Sequence, residues 1–189
     1  MAQNDFPAAE LTFISVQTAA CDRIAATHHE QAPRFRALAT ELDRAPLEKP
    51  VDELYVQTID AVQEVEPMPI EAARSLVGMG RLRFRQERFP EAAPLLRRSL
   101  SYLQRQPASQ LPLQVGVTQL LTSSLKAMEK HDEAESILRD THQMLTTMVG
   151  PQDELSEKVL KELIRMLKLS GRNAEARELR AQQVVPQGN

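Results

Sequence analysis

The chain has 189 residues, a net charge of −3 and 4% aromatic residues, with no Trp. That length supports one sizeable core, and the charge balance gives no overall pull toward nucleic acid or an acidic membrane. The single cysteine, Cys21, excludes an intramolecular disulfide framework and a four-cysteine metal site. A small buried thiol in a reducing compartment is expected.

The N-terminus has no basic residue ahead of an apolar run, which argues against a secretory signal. No stretch approaches the roughly 18 apolar residues needed to span a bilayer. The expectation is a soluble, cytoplasmic protein. Residues 7–27 read as an unpaired helix, and Phe6-Pro7-Ala8-Ala9 echoes Phe89-Pro90-Glu91-Ala92. Phe35, Leu38, Ala39 and Leu42 predict a short helix with Pro33 near its start. Val51, Leu54, Tyr55, Thr58, Ala61, Val62 and Val65 predict another. Pro67-Met68-Pro69 is the sharpest internal break, too short to link independent domains.

Beyond that break the apolar periodicity of 3.6 becomes regular. Helices are predicted from Ile70 to about Gln86, Phe89 to about Arg105, Leu113 to Met128, Asp132 to about Met148, Leu155 to Leu169 and Ala174 to about Gln183. Pro90 sits where its missing N–H costs nothing. His131 or Asp132 is expected to cap the fourth of these. Gly150-Pro151 and Ser170-Gly171 are stops. The tail 184–189 is expected to fray.

These helices repeat. Ala92, Ala134 and Ala176 stand 42 residues apart. Ala92, Leu95, Leu96, Ser99, Tyr102 and Leu103 map onto Ala134, Ile137, Leu138, Thr141, Met144 and Leu145. A period in this range marks a stack of helix hairpins, each of which needs its neighbour to bury its face. The expected fold is all-α, a right-handed superhelical solenoid of about nine helices in a single domain over 1–189. Residues 70–183 would form three clear repeats and 7–66 degenerate N-terminal ones.

The residues that carry the period resemble a tetratricopeptide repeat (TPR). The first repeat offers Leu76, Met79-Gly80, Phe89, Ala92, Leu96 and Ser99; the second Leu121, Ala134, Leu138 and Thr141; the third Leu160, Leu163, Leu167, Gly171 and Ala176. The 42-residue period, longer than the usual 34, is similar to the repeats of kinesin light chains and their bacterial relatives. Met148-Val149-Gly150-Pro151-Gln152-Asp153 resembles the turn between those repeats. Thr122 and Ile164 replace the first-helix Gly, and the first-helix Asn residues associated with kinesin light chains are absent.

The resemblance implies that the first helix of each hairpin lines a concave groove. Its ligand-facing positions would be Arg74, Val77, Arg81, Phe84 and Arg85, then Gly116, Gln119, Ser123, Lys126 and Ala127, then Lys158, Lys161, Arg165, Lys168 and Leu169. Eight of these fifteen are basic and none is acidic. Such a cleft attracts acidic segments, with Phe84 and Val77 as apolar contacts. A solvated helix face is the plainer reading, because Glu154–Lys158 and Glu157–Lys161 have ordinary i,i+4 spacing.

No catalytic pattern stands out. His28 and His29 are adjacent, so their side chains would point about 100° apart on a helix, a poor metal geometry. Gly78 and Gly80 lack a following Gly-Lys-Ser/Thr. Met144 and Met148 fall on the core stripe and read as filler. Few aromatics and a net acidic chain make nucleic acid a lesser option. The sequence thus points to a non-catalytic, cytoplasmic protein-binding adaptor or regulatory module, without cofactor or metal, that holds an acidic peptide in a basic groove. The alternative is a homo-oligomeric scaffold assembling through the N-terminal helix that carries Leu11, Phe13, Ile14 and Val16.

Overall fold

The computed structural model describes residues 18–27, 29–48, 57, 61 and 70–184. Every regular element among them is helical: α1 over 18–27, α2 Ala32–Glu48, α3 Ile70–Arg85, α4 Phe89–Leu103, α5 Leu111–Ala127, α6 His131–Met148, α7 Glu154–Leu169 and α8 Asn173–Val184. A single 3-10 turn, Ala108–Gln110, leads into α5. The expected helix over 51–66 lies outside the described residues except at 57 and 61, as do Leu11, Phe13, Ile14 and Val16.

Contact density divides the chain into two compact units, Met1–Leu82 and Arg83–Asn189. In the first, α1 buries Ala20, Cys21, Ile24 and Ala25, and α2 buries Ala32, Phe35, Leu38 and Ala39. These fall at helical spacing, one face per helix. The part of α3 in this unit buries Ala72, Ala73, Leu76, Val77 and Met79.

The second unit is an all-α solenoid in which α4 packs on α5, α5 on α6, α6 on α7 and α7 on α8, while α5 also reaches α7. The repeated stripe supplies its interior. Ala92, Leu95, Leu96, Ser99 and Leu103 are buried on α4, and Ala134, Leu138, Thr141 and Leu145 on α6. Tyr102, Ile137 and Met144 are half-buried. Polar residues in the interior are paired: Thr118 on α5 and Thr141 on α6 share a hydroxyl–hydroxyl bond of 3.3 Å, and the Gln114 amide donates to the Met144 sulfur at 3.1 Å. Met148 departs from expectation. It is 48% exposed, because it is the last residue of α6 and the next hairpin starts by turning away at Gly150.

The period also sets the turns. Glu87, Glu129 and Gly171 stand 42 residues apart, and all three have positive φ, at 59°, 61° and 76°. Each closes a helix in the same way. Arg88, Lys130 and Arg172 donate their N–H to the carbonyls of Arg83, Leu125 and Leu167, while Glu87, Glu129 and Gly171 donate to those of Phe84, Lys126 and Lys168. This is the paired-bond helix ending that favours glycine, and only the third repeat has one. At the start of α6 the capping position falls on Lys130, which makes no side-chain cap bond. His131 and Asp132 lie inside the first turn instead, because the tight turn at Glu129 brings the chain into helix sooner.

Candidate partner-binding face

α7 is the best-defined helix of the candidate site. Gly150, at φ 97°, turns the chain out of α6. The Asp153 carboxylate accepts the N–H of Leu155 at 2.9 Å and caps α7. Ser156 ties back by donating to the Gly150 carbonyl at 2.7 Å. Glu154 and Glu157 occupy the first turn and Lys168 the last, in the sense that complements the helix dipole. With Val159, Leu160, Leu163, Met166 and Leu167 buried, the opposite side of the helix is fixed outward.

That outward side carries Lys158, Lys161, Arg165, Lys168 and Leu169, all exposed. Lys161 pairs with Glu157 at 2.9 Å, and Arg165 stands 3.9 Å from Glu162. Lys158 and Lys168 make no ion pair among the described residues. On α5 the expected positions are quieter. Gly116, Gln119 and Ser123 are half-buried, and the Lys126 ammonium is bound to the Glu162 carboxylate of α7. Arg85 is exposed, and half-buried Phe84 meets Phe89 edge-to-face at 5.4 Å. In the first unit Arg74 and Arg81 are exposed, but Val77 is only 4% exposed. Val77 therefore belongs to the packing and offers a ligand no apolar surface. Among the second unit's positions Ala127 and Leu169 are exposed apolar residues, and only Leu169 is large, at 80% exposure.

The sequence reading missed the acidic partners. Lys126–Glu162, Arg97–Glu133 and Arg139–Glu175 each join residues 36 apart, one hairpin to the next. Arg97 and Arg139 differ by the repeat period, as do Glu91, Glu133 and Glu175. That recurrence is visible in the sequence once charged positions are aligned along with the apolar ones. At the last hairpin the bonds close into a ring: Arg139 also holds Glu135 at 2.7 Å, and Arg172 holds Glu175 at 2.6 Å and Glu135 at 2.8 Å. Burial alone would lower the Arg139 pKa, but the Glu135 and Glu175 carboxylates outweigh it and raise it above the ordinary arginine value. Arg139, then Arg172, holds the Glu175 carboxyl below the usual range.

Elsewhere, Cys21 is fully buried, and that burial, with the Asp22 charge adding to it, pushes its thiol pKa up to about 12. It is a packed thiol with almost no thiolate at neutral pH. Burial lowers the pKa of His142. His29 is exposed. Among the described residues no three His, Cys, Asp or Glu side chains cluster as metal ligands, and no helix is long and apolar enough to cross a membrane.

No protein-family model and no curated protein matches the sequence. Solved structures do. The nearly identical TPR-like repeats of a kinesin-light-chain-type protein from Podosopora anserina superpose with a TM-score of 0.61 at 16% identity, over 90% of this chain and 92% of that one. BtubC (BKLC) from P. vanneervenii superposes with a TM-score of 0.55 at 14% identity, over 95% of this chain and 74% of that one. The fold is that of a TPR-like repeat protein. The 42-residue period recurs in the interior, the turns and the ion pairs of this TPR-like chain.

Proposed function

We propose that this chain is a protein-binding adaptor that holds an acidic segment of a partner against its exposed first-helix cations. Helical repeats of the TPR-like kind are interaction folds, which makes binding a better reading than catalysis. The observation that carries the proposal is the outward face of α7, where Lys158, Lys161, Arg165 and Lys168 are all exposed in a chain whose net charge is −3. Opposite charge on a partner would steer encounter and set register, and the arginine guanidinium can take a carboxylate through two parallel bonds. Exposed Arg85 adds positive charge in the same unit, and Arg74 and Arg81 are exposed cations of the first, each unit taken by itself. Phe84, Gln119 and Lys126 would contribute at most partial contacts, given their burial or pairing.

Charge reversal tests it. Lys161 and Arg165 are 75% and 74% exposed, so Lys161→Glu with Arg165→Glu leaves the core untouched. Acidic partners captured by the wild-type chain at low salt should be lost by this variant. Retention of the same partners with unchanged affinity would remove the proposal.

A further inference from the structure

Four exposed cations of the second unit follow one helix axis, and that direction limits what can lie on them. Lys158, Lys161, Arg165 and Lys168 follow one another at steps of three, four and three residues. With 100° and 1.5 Å per residue they share a sector of about 80° and span about 15 Å. The buried residues Val159, Leu160, Leu163 and Leu167 occupy the opposite side. From α7 to α5 the charge is interrupted. The next cation, Lys126 on α5, is neutralised by Glu162, and the neighbouring Gln119 and Ser123 carry no charge. A ligand crossing from α7 to α5 meets a closed ion pair, whereas one lying along α7 meets four cations. The bonds of Lys161 and Arg165 to Glu157 and Glu162 are local to the helix and highly solvated on the cation side. Such pairs are weak and exchange with an incoming carboxylate.

We propose that this stripe docks an acidic α-helix of a partner protein lengthwise along α7. Steps of three and four residues are those at which one face of a second helix repeats. Carboxylates at i, i+3, i+7 and i+10 of that helix rise in step with the four cations. Same-side residues of an extended strand, at about 6.7 Å, do not. The ends give the site polarity: exposed Glu154 closes the stripe at its N-terminal end, and Leu169, 80% exposed, at the other. The partner helix therefore carries a basic residue at one end and an apolar one at the other. This rests on the acidic-partner reading and narrows it to one helix and one occupant.

Two side-chain-stapled helical peptides of identical composition test it, titrated by fluorescence anisotropy into the full chain at low ionic strength. One has four Glu at i, i+3, i+7 and i+10; its isomer has them distributed around the helix. The aligned peptide should bind about tenfold more tightly than its isomer. That preference should vanish in Lys158→Glu with Lys168→Glu and survive in Lys126→Gln with Glu162→Gln, all variants being checked for native helix content by circular dichroism. Equal binding of the two isomers would overturn the aligned-helix inference and leave the acidic-partner reading standing. Loss in the Lys126→Gln, Glu162→Gln variant equal to that at α7 would place the ligand across the stack instead. Failure of both peptides to bind the wild-type chain would overturn both readings.

Discussion

Arg139 on α6 donates to the Glu175 carboxylate on α8, and the same bond joins Arg97 to Glu133 one repeat earlier. The period therefore fixes ion pairs between hairpins as well as apolar contacts within them. An exposed pair in isolation contributes little, and the Arg97→Ala, Glu133→Ala double-mutant cycle should give a coupling of about 0.2–1 kcal/mol in urea unfolding. The cycle at Arg139 and Glu175 should give the larger coupling of the two, because there the bonds close into a ring with Glu135 and Arg172. Equal couplings would mean that the ring adds nothing.

The shared helix ending yields a stability prediction of opposite sign at two kinds of position. Glu87 and Glu129 hold left-handed backbone that glycine adopts without strain. Glu87→Gly or Glu129→Gly should each raise stability by about 0.5–1 kcal/mol, and Gly171→Glu should lower it by a similar amount. Thermal melts of the three variants check this, and a fall in melting temperature for both Glu variants would refute it.

The buried hydroxyl pair is expected to show the asymmetry of an interior hydrogen bond. Thr118→Val alone leaves Thr141 without that partner and should cost about 1–3 kcal/mol. Replacing both by Val removes the polar atoms together and should cost less than the single change. A double variant weaker than the single one by chemical denaturation would contradict this. For comparison, Leu138→Ala at the centre of the same stripe should cost about 2–5 kcal/mol.

Among the described residues, Glu175 and His142 each contribute to the acid response. Glu175 has a lowered native pKa, so its contribution is complete above the unfolded glutamate value of about 4.3 and is lost as pH falls through the native one. His142 is also lowered, by burial. The unfolded chain thus takes up its proton first, and stability begins to fall as pH drops below about 6.5. Glu175→Gln should flatten the stability profile only in the lower window and His142→Gln only in the upper one. Urea midpoints measured from pH 7 to pH 3 separate them.

Much of this organisation is legible before any coordinates. The apolar stripe, Pro90 and the Gly150 and Gly171 stops place the six helices after residue 70 within two residues at every end, because local periodicity and backbone chemistry decide those boundaries. Placement of individual side chains on the candidate face is harder to read. Val77 occupies a ligand-facing position by repeat counting yet is taken into the packing, since a short aliphatic residue gains by turning inward wherever space allows. Lys126 looks like an open cation until Glu162, on a different helix, is brought against it. Glu87 and Glu129 hide a glycine-type turn, which the polar character of glutamate disguises. Lys126 is decided by a contact between hairpins that no local window of sequence contains, and the two glutamates by a helix ending that residue type alone does not announce.

The most direct measurement is an amide-resolved NMR titration of the full chain with an acidic peptide at low ionic strength. Perturbations should centre on Lys158, Lys161, Arg165 and Lys168 of α7 and fade as salt is added. Perturbations confined to the outer face of α6, around Ser136 and Asp140, or a response indifferent to salt, would contradict this.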